Sequence, residues 1–257
     1  MKFKRKYNIL GIIPARGGSK TIKKKNIALI NNHPLIAYTV FEAKKSKYIS
    51  DLVVSSDDDR IRTVSIQYGC PAPFKRPKYL SNDKATSVDC DLHATRYMEK
   101  KLNKKYDFVI ELMCTNPFKT AQDIDGVIET HINTKCETVI SVMKLEDHHP
   151  IRIKKIENGL IKDFCLKEIP ETRRQDLKPE AFIRNGSIYS MRRDILEKKI
   201  RTGAKNSRAY IMPRERTVNI DELMDLYIAQ MLMKLKSKKK LKPLMSYNQA
   251  KKKLNTI

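Results

Sequence analysis

Residues 7–26 read YNILGIIPARGGSKTIKKKN, and the reading of this stretch decides the fold. Residues 7–13 are a continuous apolar run, as a strand buried on both faces requires. Directly behind it stand two glycines, a serine, an arginine and four lysines. So much positive charge at the end of a buried strand is costly unless an anion sits on it, and open α/β sheets bind ligands at their carboxyl ends. Glycines let backbone N–H groups approach phosphate oxygens. Arg16 offers a planar fork, Lys20 and Lys25 act as mobile point charges, and Ser19 adds a hydroxyl. The set suits a triphosphate. It is not a Walker A loop, because Ser19 separates Gly18 from Lys20, and G-x-G-x-x-G is absent.

Outward from this stretch, strand and helix signals alternate. Residues 34–47 open with Pro34 in a first helical turn and close in lysines. A short strand at 51–56 leads into a helix with acids at its start and Gly69 as its stop. A helix at about 86–103, a strand at 107–113, a helix capped by Thr120 with Asp123 three residues on, and a strand at 137–143 follow. This alternation predicts an α/β fold: a Rossmann-like, mostly parallel sheet flanked by helices. Near residue 145 the period changes. IRIKKIENGLIKDFCL reads as a hairpin around Asn158-Gly159, followed by a basic loop, a strand and a short helix. A strand at 209–213 and an amphipathic helix at 220–236 complete the pattern. The expected organisation is one domain over 7–236. It includes a protruding β-rich insertion at about 144–185, a candidate dimerisation element, and is followed by a basic tail over 237–257.

Composition narrows the function. The chain has 257 residues, 40% of them hydrophobic, enough for a sizeable core. No apolar run approaches the ~20 residues of a membrane span, and the run behind the basic MKFKRKY stops at Pro14, too short for a secretory signal. A cytoplasmic protein with no membrane partner is expected. The five cysteines form no C-x-x-C pair, which argues against structural zinc and for buried or half-buried fillers. Net charge is +24, but residues 2–6 and 234–253 hold 13 of the basic residues and no acid, so without them the body carries +11. There is no Trp, and the aromatics do not interleave with the basic runs as base-stacking platforms would. Solvated lysines on an enzyme are the expectation, with a nucleic-acid binder a distant third reading.

IIPARGGSKTIKKKN resembles the nucleotide-binding loop of the acylneuraminate cytidylyltransferases, the CMP-sialic acid or CMP-nonulosonate synthetases. The likeness continues through HPLIAYTV, VVSSDDDRI, YGCPAPFKRPKYLSNDKATSVD, TNPFKTAQDID, DHHP, RRQDLKPEAFIRNGSIY and VNIDELMDL, over roughly residues 8–230. It implies attack of the anomeric hydroxyl of a 3-deoxy-2-keto sugar acid on the α-phosphorus of CTP, with pyrophosphate leaving and Mg²⁺ as cofactor. By the same resemblance, Arg16, Lys20, Lys25 and Asp221 are catalytic. Ala15, Arg16, Gly17, Ser19, Asn26, Arg76, Thr86 and Ser87 bind the nucleotide. Met113, Thr115, Asn116, Arg152, Arg174 and Arg184 face the sugar acid, Asp221 and Asn219 take the metal, and the enzyme is a homodimer. A bidentate arginine suits the acid's carboxylate.

Departures from the family pattern carry information. Asn219 replaces the first aspartate of an i, i+2 pair and offers a neutral carbonyl oxygen instead. Met113 stands where a glutamine is expected, and a thioether cannot reproduce an amide's paired donor and acceptor. The expected substrate is therefore a legionaminic-type or other non-standard acid rather than N-acetylneuraminate. Thr21 replaces a frequent loop glycine. The alternative is a nucleotidyltransferase for a Kdo-type acid or a sugar 1-phosphate.

Overall fold

The computed structural model describes residues 7–19, 21–146, 148–167, 173–235 and 243–256. In chain order its elements are β1 (Ile9–Pro14), β2 (Leu29–Ile30), β3 (His33–Pro34), α1 (Leu35–Ala43), β4 (Asp51–Ser55), α2 (Asp59–Gln67), α3 (Ser87–Leu102), β5 (Phe108–Leu112), α4 (Ala121–Thr134), β6 (Thr138–Lys144), β7 (Lys154–Glu157), β8 (Leu160–Asp163), β9 (Phe182–Arg192), α5 (Arg193–Glu197), β10 (Ser207–Ile211), α6 (Leu223–Leu235) and α7 (Tyr247–Leu254).

The main sheet has the order β10-β6-β9-β5-β1-β4. β1 pairs in parallel with β4 and β5, and β10 with β6, whereas β9 runs antiparallel between β5 and β6. The continuous apolar run of β1 is explained by this placement. Ile9 and Ile13 enter the core under α1, α2 and α4, while Leu10 and Ile12 enter the opposite core under α3 and α5. A third cluster joins Ile30, Leu35, Phe118 and Ile220 to the inner face of α6.

The helix starts follow their caps. Asp58 accepts from the N–H groups of Arg60 and Ile61 at α2, and Thr120 with Asp123 closes a capping box at α4. Asn158 and Gly159 both adopt positive φ, at 53° and 77°, and join β7 to β8 as expected of that dipeptide. The strand expected after the basic loop is β9, which lies in mid-sheet, a placement that periodicity does not reveal.

Two expectations are corrected. The segment read as a solvated basic tail contains α7, capped by Ser246 and Gln249, with Ala250 and Leu254 buried in the main core against α2. The lysines mask a short apolar stripe. Cys165 is exposed rather than a filler, while the other four cysteines are buried. Among the described residues no helix is long and apolar enough to cross a membrane.

Candidate functional site

At the carboxyl ends of β1 and β5 lies a cavity of about 420 Å³. The loop after β1 contributes Arg16, Ser19, Lys25 and Asn26. The segment before and into α3 supplies Arg76, Asn82, Ala85 and Ser87. The end of β5 adds Met113, Cys114 and Thr115. Gly186 and Tyr189 come from β9, and Arg201, Asn219 and Asp221 close the wall. Among these lining residues Arg16, Lys25, Arg76 and Arg201 are cationic and Asp221 is a carboxylate, so the wall itself is rich in positive charge.

Hydrogen bonds brace the loop from behind. Asn26 donates through Nδ2 to the Arg16 carbonyl at 2.9 Å and accepts at Oδ1 from the Cys114 thiol at 3.0 Å. Both ends of its amide are therefore used on the protein. Lys25 Nζ donates to the Ile220 carbonyl at 2.7 Å and lies 3.2 Å from Asp221 Oδ1. Thr21, at the usual glycine position, donates to the Asp221 carbonyl at 2.5 Å and ties the loop to the acidic stretch. Gly17 donates to Asp57 Oδ1 at 3.0 Å, so its N–H points at a carboxylate and not into the cavity. A Cβ at Gly17 would sit 2.8 Å from Asp58 Cβ, which leaves room for glycine alone. Arg16 meets Asp83 at 2.9 Å.

Arg76 is 5% exposed, and its Nε and Nη2 have no hydrogen-bond partner. Asp57 is 3.8 Å from Nη2, too far to satisfy it. A buried, unsatisfied guanidinium in a cavity wall is a receptor awaiting acceptors. In the acidic stretch, Asn219 Nδ2 donates to Asp221 Oδ2 at 2.6 Å, while Asn219 Oδ1 is buried without a partner. Gly186 stands beside that amide with φ +63°, a left-handed backbone conformation that favours glycine. One free amide oxygen and one mostly exposed carboxylate fit a Mg²⁺ held chiefly by phosphate and water oxygens. Among the described residues no group of three or more His, Cys, Asp or Glu converges on a metal position.

Beneath the cavity, Glu111 is fully buried and paired with Arg201 Nε. Burial pushes the Glu111 carboxyl up, and the Arg201 charge draws it back. Burial next to Glu111 holds Asp91 well above the usual carboxylate range. Lys119, also buried, donates to Thr39 Oγ1 at 3.1 Å and to the carbonyls of Met113 and Asn116, fixing the loop after β5; burial pushes its pKa down to about 7.

Several expected site residues stand elsewhere. Ala15 is buried behind the loop, bonding Ser55. Thr86 is the α3 cap, bonded to Asp89, and Asn116 is wholly buried; neither lines the cavity. Arg152 and Arg184 are exposed on the hairpin side, outside the cavity wall. Arg152 ends a short 3-10 turn before β7 and Arg184 lies near the start of β9, and neither lines this cavity. Lys20 and the Arg174 side chain lie outside the described residues. Tyr189 and Arg201 were missed. Tyr189 sits in the quoted NGSIY segment, whereas KKIRTGAK around Arg201 reads as an ordinary basic turn.

Comparison with known proteins agrees with this geometry. A protein-family model described as cytidylyltransferase matches residues 10–252. The chain is 32% identical over 234 residues to a pseudaminic acid cytidylyltransferase of Campylobacter jejuni, covering 88% of this chain and 96% of the relative. It is 30% identical over 229 residues to a CMP-N,N'-diacetyllegionaminic acid synthase of the same species, covering 89% and 96%. Its fold is similar to a CMP:2-keto-3-deoxy-manno-octonic acid synthetase complexed with CTP, with a TM-score of 0.67 at 18% identity over 90% of this chain and 100% of that one. With a cavity lined by Arg16, Lys25, Arg76 and Arg201 at the mouth of β1 and a family match over nearly its whole length, this chain belongs to the cytidylyltransferase family.

Proposed function

We propose that this cytidylyltransferase activates a nonulosonic acid: CTP and the sugar acid give the CMP-sugar acid and pyrophosphate. The observation that carries the reading is a cavity wall that brings Arg16, Lys25 and Arg76 together, with Arg76 Nε and Nη2 buried and without a hydrogen bond. In this reading Arg16, Ser19 and Lys25 neutralise the triphosphate, exchanging Asp83 and Asp221 for phosphate oxygens. Arg76, Asn82 and Ser87 hold the cytidine end. The sugar acid occupies the side bounded by Met113, Thr115, Gly186 and Tyr189. Its anomeric oxygen bonds the α-phosphorus while the bond to pyrophosphate breaks. Asp221 and Asn219 Oδ1 would hold Mg²⁺, which supplies charge neutralisation at the phosphates.

The relatives named for pseudaminic and legionaminic acids support a non-standard acid, as does Met113 in the wall. The use of CTP supports a cytoplasmic location. The β7–β8 hairpin exposes Ile156, Leu160, Ile161 and Phe164, an apolar surface suited to a second copy in a homodimer.

The test is pyrophosphate release from CTP with Mg²⁺ and a panel of sugar acids. Turnover with a nonulosonic acid is expected. Turnover with a sugar 1-phosphate or an eight-carbon acid alone overturns the assignment.

A further inference from the structure

Arg201 is set into the cavity wall in an unusual manner. Its Nε donates to Glu111, which has no solvent exposure and lies 90 residues away. Its guanidinium carbon lies 3.5 Å from the centroid of the Tyr189 ring. Its Nη2 donates a weak hydrogen bond to Met113 Sδ at 3.9 Å. Among the described residues its Nη1 makes no hydrogen bond. Glu111 and Tyr189 are themselves directly opposite each other across β5 and β9, so the side chain is held by a rigid part of the sheet. A guanidinium so fixed presents donors and no acceptors.

Three features select the group it receives. The buried Glu111 already balances the Arg201 charge, so this position does not call for a second anion. The donors call for an acceptor oxygen. The flanking Met113 thioether and Tyr189 ring are apolar and suit a methyl group beside that oxygen. Carbonyl oxygen and adjacent methyl together describe an acetamido substituent.

Resting on the sugar-acid reading above, we propose that Arg201 is the specificity-determining contact of the sugar-acid side, donating to the carbonyl oxygen of an acylamido substituent whose methyl packs against Met113 and Tyr189. Arg201 replaces the donor capacity that Met113 lacks. A free amine at the same carbon is rejected, because as an ammonium it offers donors and no acceptor to a guanidinium that also only donates.

The experiment compares an acetamido-bearing nonulosonic acid with analogues in which each acetamido group in turn is a free amine or a hydroxyl. Steady-state pyrophosphate release is measured for wild type, Arg201→Met and the double variant Glu111→Gln/Arg201→Met, which leaves no unpaired buried carboxylate at Glu111. CTP-induced thermal stabilisation verifies that each variant is folded. Wild type is expected to prefer the acetamido acid. In the variants its KM rises roughly 10- to 100-fold, the value for a lost hydrogen bond to a charged donor, while the KM for CTP is unchanged. The preference over the amine and hydroxyl analogues collapses. An unchanged preference in folded Arg201→Met protein, or a defect confined to CTP, overturns the inference and leaves the sugar-acid reading standing. CTP turnover by wild type with no acid of the panel overturns both.

Discussion

Arg76 holds a nearly buried guanidinium whose Nε and Nη2 bond to nothing in the protein. Such a group disfavours the folded state until a ligand satisfies it. Arg76→Met is therefore expected to be at least as stable as the parent in thermal denaturation, while the KM for CTP rises roughly 10- to 100-fold. A rise confined to the sugar acid contradicts this. Arg16→Ala removes a charge-assisted contact to the phosphates and is expected to lower kcat/KM roughly 100-fold; unchanged kinetics would remove Arg16 from the site. His131 governs a different property. Its Nε2 hydrogen is donated to the Cys136 carbonyl and its Nδ1 accepts from Ser190, so the folded state holds the neutral ring, and burial pushes the pKa down to about 4. The unfolded chain binds the proton near 6.5. Stability from this group is complete above pH 6.5 and is lost as pH falls toward 4, by about 3 kcal/mol. Urea titrations at pH 7 and pH 4 should show a loss larger by about that amount in wild type than in His131→Gln. Arg16 and Arg76 were legible from their motifs. His131 was not, because burial is a property of the packed sheet.

At the scale of elements, α7 is the sharpest difference between sequence and structure. KKKL reads as solvated charge, yet the spacing from Ala250 to Leu254 puts both on one face, and that face completes the core over α2. Leu254→Ser is expected to cost about 2 kcal/mol and lower Tm by about 4–8 °C, with pyrophosphate release retained at low temperature. An unshifted Tm would return the segment to the status of a tail. The helices with strong caps were readable for a local reason: Thr120 and Asp123 satisfy each other within four residues. The central strand β9 was readable as a strand but not as antiparallel. Pairing partners are chosen by distant residues, and only the assembled sheet sets Tyr189 opposite Glu111.

For the whole molecule, the hairpin surface carries the testable statement. Ile156 and Ile161 are 76% and 74% exposed. The double variant Ile156→Asp/Ile161→Asp is expected to fold and to sediment as a monomer at concentrations where wild type is a dimer; a monomeric wild type would refute the homodimer. The sequence by itself determined the α/β alternation, the charged loop behind β1 and the family, because strand burial, helix caps and phosphate-binding loops are written in contiguous residues. It also supplied Arg76, Lys25 and Asp221 as site residues. The tertiary structure alone decided that Arg201 joins Met113 and Tyr189 in the wall, that Thr86 and Asn116 serve the scaffold, and that Arg152 and Arg184 stand outside the cavity. These outcomes depend on contacts between segments up to about ninety residues apart, whose placement follows from strand order and burial rather than from any local pattern.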